Sequence, residues 1–107
     1  MGIDLALHSQ RPAKRNWRET LLQESYEHGE LLATLLPKLH QDSRLGAVDP
    51  YGDTTFNEQQ AEASIRECDQ LRELCTSAAD RAAVADLERM LRACAETPGS
   101  YLCFIGD

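Results

Sequence analysis

The sequence predicts a mainly α fold of the α+β kind: three main helices, the last two an antiparallel hairpin, with a small pair of short terminal strands. Three observations carry this. Apolar residues recur every three or four positions through most of the chain between Trp17 and Cys94, the period of a helix buried on one side. Only two stretches read as strands, "IDLALH" at 3–8 and "YLCFI" at 101–105. The length of 107 residues, 42% of them hydrophobic, suits one core, so a single domain is expected over 1–107.

Each element has its own local reason. Ile3, Leu5 and Leu7 alternate with Asp4, Ala6 and His8, the period of a strand with one apolar face. "SQRPAKR" ends that run. Trp17, Leu21, Leu22, Tyr26, Leu31, Leu32, Leu35 and Leu36 then follow helical spacing, which predicts a first helix over about 16–40. Gly29 weakens its middle, and Pro37 starts a separate final turn.

Thr55 with Glu58 matches a capping box, with Asn57 and Gln60 as the competing start two residues later. Either begins a second helix that runs to about Cys75. Its stripe is Ala61, Ile65, Cys68, Leu71 and Leu74. Ser77 with Asp80 begins a third helix, to about Glu96, and Pro98-Gly99 stops it. The short connection between them requires an antiparallel hairpin. "YLCFI" after that stop reads as a buried strand, and the economical arrangement pairs it with 3–8.

Eighteen acidic against eleven basic residues leave a net charge of −7. Nucleic acid is disfavoured as a partner, because phosphate binding needs clustered Lys and Arg. Residues 11–18, "RPAKRNWR", form the one basic cluster. A basic protein fits the surplus better, since complementary potentials speed encounter and reject wrong partners.

No membrane segment is expected. The longest apolar runs, such as "LLATLL" at 31–36, fall far short of the ~20 residues that span a bilayer. The N-terminus has its charge after its apolar run, the reverse of a secretory signal, and Ala6 stands where myristoylation wants Ser or Thr. A cytoplasmic location is expected.

Cys68, Cys75, Cys94 and Cys103 sit among apolar neighbours, with no CxxC. Cys68 and Cys75 would lie about 10 Å apart along a helix, too far to bridge. Reduced thiols are expected, and no zinc site.

The stretch "VDPYGDTTFNE" at 48–58 is the densest in polar groups. Asp49, Tyr51 and Asp53 alternate as in an EF-hand loop. Counted from Asp49, the third, sixth and twelfth places hold Tyr51, Thr54 and Gln60, so the loop fails that pattern. Turn chemistry explains more of the letters: Pro50 presets φ, and Gly52 is expected to supply positive φ. Phe56 is expected to anchor the following helix to the core.

A rigid acidic loop with an exposed Tyr51 presents a good anchor to a partner. Glu24, Glu27 and Glu30, three apart around His28, are expected to share one face of the first helix and to form a second docking stripe. His8, His28 and His40 stand apart from any cysteine or glycine-rich serine elbow, so no catalytic residues are assigned. No phosphate-cradling glycine motif occurs and no cofactor is implied.

The core "DPYGDTTFN" at 49–57, the start "MGIDL" and the end "YLCFIGD" resemble a family of small, largely uncharacterised bacterial proteins. The shared pattern is D-P-Y-G-D-T-x-F-N with an F-I-G-D-like C-terminus. It matches at Asp49, Pro50, Tyr51, Gly52, Asp53, Phe56 and Asn57. The resemblance implies no established activity. Many short acidic bacterial proteins of this kind are immunity proteins encoded beside a toxin. The expected function is therefore a non-enzymatic inhibitor that occludes the active site of a basic cognate toxin, through Asp49, Tyr51, Asp53, Glu24, Glu27 and Glu30. The alternative is a small metal-dependent enzyme or ligand-binding module using the 49–53 carboxylates.

Overall fold

A computed structural model describes all residues 1–107. Strand β1 (Ile3–His8) opens the chain. A short 3-10 turn leads into the single-turn helix α1 (Trp17–Thr20), strand β2 (Leu21–Ser25) and helix α2 (Gly29–Leu35). After a long loop come strand β3 (Asp53–Asn57) and helices α3 (Glu58–Ile65), α4 (Glu67–Leu74) and α5 (Ala78–Glu96), and strand β4 (Tyr101–Gly106) closes the chain. The sheet order is β2-β1-β4-β3, antiparallel throughout.

The mainly α expectation is therefore overturned. Five helices pack with a four-stranded antiparallel sheet, where three helices and two short strands were predicted. The terminal pairing is present, with Ile3 opposite Gly106 and His8 opposite Tyr101. What periodicity did not show is that this ribbon needs partners on both sides. Two paired strands still leave two outer rows of N–H and C=O groups, and buried backbone polar groups must be paired.

β2 supplies one partner. The predicted first helix over 16–40 breaks up, because Leu21–Ser25 pairs with β1, with Leu5 opposite Ser25 and Leu7 opposite Gln23. Helix returns only at Gly29. There a Cβ would lie 2.8 Å from Asp4 Oδ1, so glycine lets α2 start hard against β1. Pro37 does open its own short 3-10 turn, Leu36–Lys38.

β3 supplies the other partner, with Phe56 opposite Leu102 and Thr55 opposite Cys103. Thr55 thus lies inside a strand and caps nothing. The cap is the competing pair: Gln60 N donates to Asn57 Oδ1 at 2.8 Å, and Asn57 N donates to Gln60 Oε1 at 2.8 Å. The predicted second helix is two, divided at Arg66. α5 runs back along α3 and α4. Its start is as expected, with Asp80 N donating to Ser77 Oγ at 3.1 Å. The Asp80 carboxylate turns to Thr76 N at 3.0 Å.

One cluster of 22 buried residues fills the space between sheet and helices. Ile3, Leu5, Leu7, Phe56, Leu102 and Phe104 come from the sheet. Leu32, Leu35, Val84, Leu87, Met90 and Leu91 face them from α2 and α5. Phe56 anchors here as expected, its ring 4.8 Å from that of Phe104. Residues 9–20 fold over the opposite face of the sheet. There Trp17 meets His8 with ring centroids 4.2 Å apart, and the Arg11 guanidinium lies 5.5 Å above Tyr101.

All four cysteines are free thiols, three of them buried. No helix is long and apolar enough to cross a membrane.

Phe104 is fully buried in a central strand. Phe104→Ala is expected to lower the unfolding free energy by about 3–5 kcal/mol, measured by urea denaturation; a loss below about 1 kcal/mol would remove Phe104 from the centre of the core.

Candidate functional site

The pairing register decides where the acidic residues go. Ile3 stands opposite Gly106, Asp53 opposite Ile105, and Ser25 opposite Leu5. The start of β1, the ends of β2 and β4 and the start of β3 therefore share one end of the sheet. Seven side-chain carboxylates gather there: Asp4, Glu24, Glu27, Glu30, Asp49, Asp53 and Asp107. The chain has no Lys or Arg in residues 1–10, 19–37, 45–65 or 93–107, the segments that build this end.

Two hydrogen bonds fasten it. Gly106 N donates to Gly52 O at 2.8 Å, which ties the 49–53 loop to β4. Gly2 N donates to Asp107 Oδ1 at 2.6 Å. A Cβ at position 106 would lie 2.5 Å from Pro50 O, so the loop backbone sits directly on a glycine. Within the loop, Tyr51 N donates to Asp49 Oδ1 at 2.9 Å, and Asp49 N donates to Thr54 Oγ1 at 3.1 Å. Gly52 does not take positive φ; only Gly99 does. Gly52 is needed for space, because a Cβ there would lie 2.7 Å from Asp49 Oδ2. Tyr51 projects from the loop, 69% exposed.

Glu24, Glu27 and Glu30 do not share a helix face. Glu24 is in β2, Glu27 in the following turn and Glu30 in α2. The sheet sets them at the same end as the 49–53 loop, on its opposite edge. Glu27, Glu30, Asp4, Tyr26 and Asp107 line one groove of about 480 Å³, and Glu24 accepts a hydrogen bond from the Tyr26 hydroxyl. Asp4, Tyr26 and Asp107 were not singled out from the sequence. Their signal was the 3–8 and 101–105 pairing, since its register sets Asp4 beside the chain end.

No ion pair neutralises this end, although Lys14 lines a groove with Asp53 and Arg18 one with Glu24 and Tyr26. The ion pairs elsewhere join Arg72 to Asp69 and Glu88, Arg89 to Asp86 and Arg92 to Glu88, and none includes any of the seven carboxylates. Burial, and secondarily the charge of Asp107, hold the Asp4 carboxyl above its ordinary range. The hydrogen bond to Glu24 raises Tyr26. A cation placed in the groove would relieve both.

Other chemistry finds less support. No group of three or more His, Cys, Asp or Glu side chains is placed to hold a metal ion, and the Asp49 carboxylate already closes a turn. Burial pushes the Cys68 thiol up to about 12 and raises Cys94 and Cys103 as well, so these thiols stay protonated at neutral pH.

His8 is fully buried beneath Trp17. Its Nδ1 lies 2.8 Å from Thr20 Oγ1, and the Thr20 hydroxyl donates to Asn16 O at 3.1 Å. That leaves Nδ1–H as the donor to Thr20, and Nε2 has no partner. Compared with known proteins, the chain matches no family model, no curated protein and no solved structure.

Burial lowers the pKa of His8, so the unfolded chain takes up its proton first. The stability this site contributes is complete above about pH 6.5, the unfolded value. It is lost as pH falls below that value towards the folded pKa. Urea titrations between pH 7 and 5 should show declining stability, and His8→Gln should flatten the decline; an equal slope in both proteins would rule His8 out as its source.

Proposed function

We propose that this chain is a non-enzymatic acidic binding protein, an immunity protein that neutralises a basic bacterial toxin by occluding its active site. The observation that carries the reading is the convergence onto one end of the sheet of seven carboxylates that enter no ion pair, from β1, β2, β3, α2, the turn before α2, the loop before β3 and the residue after β4. Exposed Met1, Tyr26 and Tyr51 stand among them.

The mechanism follows from that arrangement. The net acidic end draws a basic cleft into encounter and orients it. Tyr51 and Tyr26 then supply the aromatic contact area that carries most binding energy once water is excluded. The carboxylates occupy positions where the toxin holds an anionic substrate.

Two charge reversals separate the parts of this end: Asp49→Lys with Asp53→Lys, and Glu27→Lys with Glu30→Lys. Each pair is expected to slow association with the toxin by roughly tenfold or more at low salt. Tyr51→Ala should instead speed dissociation. The assay is neutralisation of the neighbouring reading frame's product in co-expressing cells, with association rates on the purified pair. Full protection by both double variants, with folding intact by circular dichroism, would overturn the reading, as would turnover of a substrate by the purified protein alone.

A further inference from the structure

The β2 edge of the sheet has no strand beyond it. β1 is the only strand bonded to β2, and Leu22, Gln23 and Glu24 in its middle are exposed. An edge strand turns alternate N–H and C=O groups outward, and chains commonly guard such an edge with proline, lysine or a covering element. β2, "LLQES", has neither proline nor lysine. The opposite edge differs: in β3 only Asp53 is exposed, Phe56 is buried in the core, and the strand runs directly into α3.

Acidic and apolar side chains predominate beside β2, although Arg18 shares a groove with Leu21, Glu24 and Tyr26 and Arg89 donates to Gln23 Oε1 at 2.8 Å. Leu22 is 49% exposed and Tyr26 54%, two of the four large apolar residues left open to water. Every Asp, Glu, Lys or Arg between Arg18 and Lys38 is acidic: Glu19, Glu24, Glu27 and Glu30. Glu19, Glu24, Glu27 and Glu30 outnumber Arg18 and Arg89 around this edge, and a second copy would bring the same net negative charge to it. Charge complementarity selects a basic occupant.

We infer that β2 is a pairing edge for an extended basic segment of the partner, one with Lys or Arg at alternate positions, which joins the sheet as a fifth strand. Its backbone bonds to the outward groups of Leu21–Ser25. A directly opposed side chain comes within about 5 Å, Cβ to Cβ, so its cations reach Glu24 and the face of the Tyr26 ring. The next cation beyond the strand's end enters the groove between Glu27 and Glu30. The inference rests on the acidic binding reading and adds that the partner is held through its main chain.

The probe is a capped peptide of about eight alternating Lys and Val residues, a usual strand length; its control carries the same lysines on a Gly-Pro background that cannot form a strand. In about 50 mM salt, where charge attraction is only partly screened, the Lys-Val peptide should bind roughly tenfold tighter than the control. It should also slow hydrogen exchange at β2 amides and leave β3 amides unchanged. Glu24→Lys should abolish the preference.

Binding that perturbs Glu27, Glu30 and Asp107 resonances without protecting β2 amides would overturn the pairing edge and leave the acidic docking reading standing. No binding of either peptide would overturn both. Concentration-dependent dimers with protected β2 amides would overturn the basic occupant in favour of a second copy.

Discussion

The structure depends on the pairing of β1 with β4. These strands come from opposite ends of the chain and run antiparallel from the Ile3–Gly106 pair to the His8–Tyr101 pair. Both lie in the middle of the sheet, and Leu5, Ala6 and Phe104 on them are inaccessible to water. Closing so long a loop costs chain entropy before any contact rewards it. Once closed, the pair offers two further edges and two faces, and the rest of the chain is arranged to fill them. β2 and β3 take the edges, α2 and α5 one face, and residues 9–20 part of the other.

That arrangement also sorts the charge. β1 starts and β4 stops at the same end, so Asp4 and Asp107 are neighbours, and the flanking strands add the acids at 24–30 and 49–53. The basic cluster at 11–18 follows His8 and so begins at the other end, where Arg11 lies over Tyr101. On the helices the charges are largely matched, as Arg72 and Arg92 share Glu88 while Arg89 holds Asp86. Local pairing on the helices leaves two unbalanced regions, the acidic end and the 11–18 segment, whose Arg11, Lys14, Arg15 and Arg18 enter no ion pair. Burial, and secondarily the charge of Asp107, raises the Asp4 carboxyl, and a cationic partner would offset the like-charge part.

The proposed activity and the fold thus share one cause. The backbone hydrogen bonds that hold the terminal strands together also hold the carboxylates close. Gly106 and Gly2 are the points of contact, one bonded to Gly52 O and the other to Asp107 Oδ1. The same topology leaves β2 with one strand neighbour, beside the acidic groove.

Local patterns were sufficient where an element's stability is local. Helix α5 was legible from its stripe and Ser77 cap, the terminal strands from alternation and a run of β-formers, and the burial of Phe56 from its place before a helix. β2 and β3 were not legible. "LLQES" has no strand period of its own and sits within a helical stripe, while "DTTFN" reads as a turn and a cap. Each becomes a strand because a buried neighbour needs backbone partners, and that demand arises only after β1 and β4 meet. By itself, then, the amino-acid order determined the acidity, the absence of a catalytic motif and the individual candidates Asp49, Tyr51, Asp53, Glu24, Glu27 and Glu30. Only the tertiary structure decided that they stand at one end of the sheet with Asp4 and Asp107, because register is a relation between segments distant in sequence, and no single segment carries it.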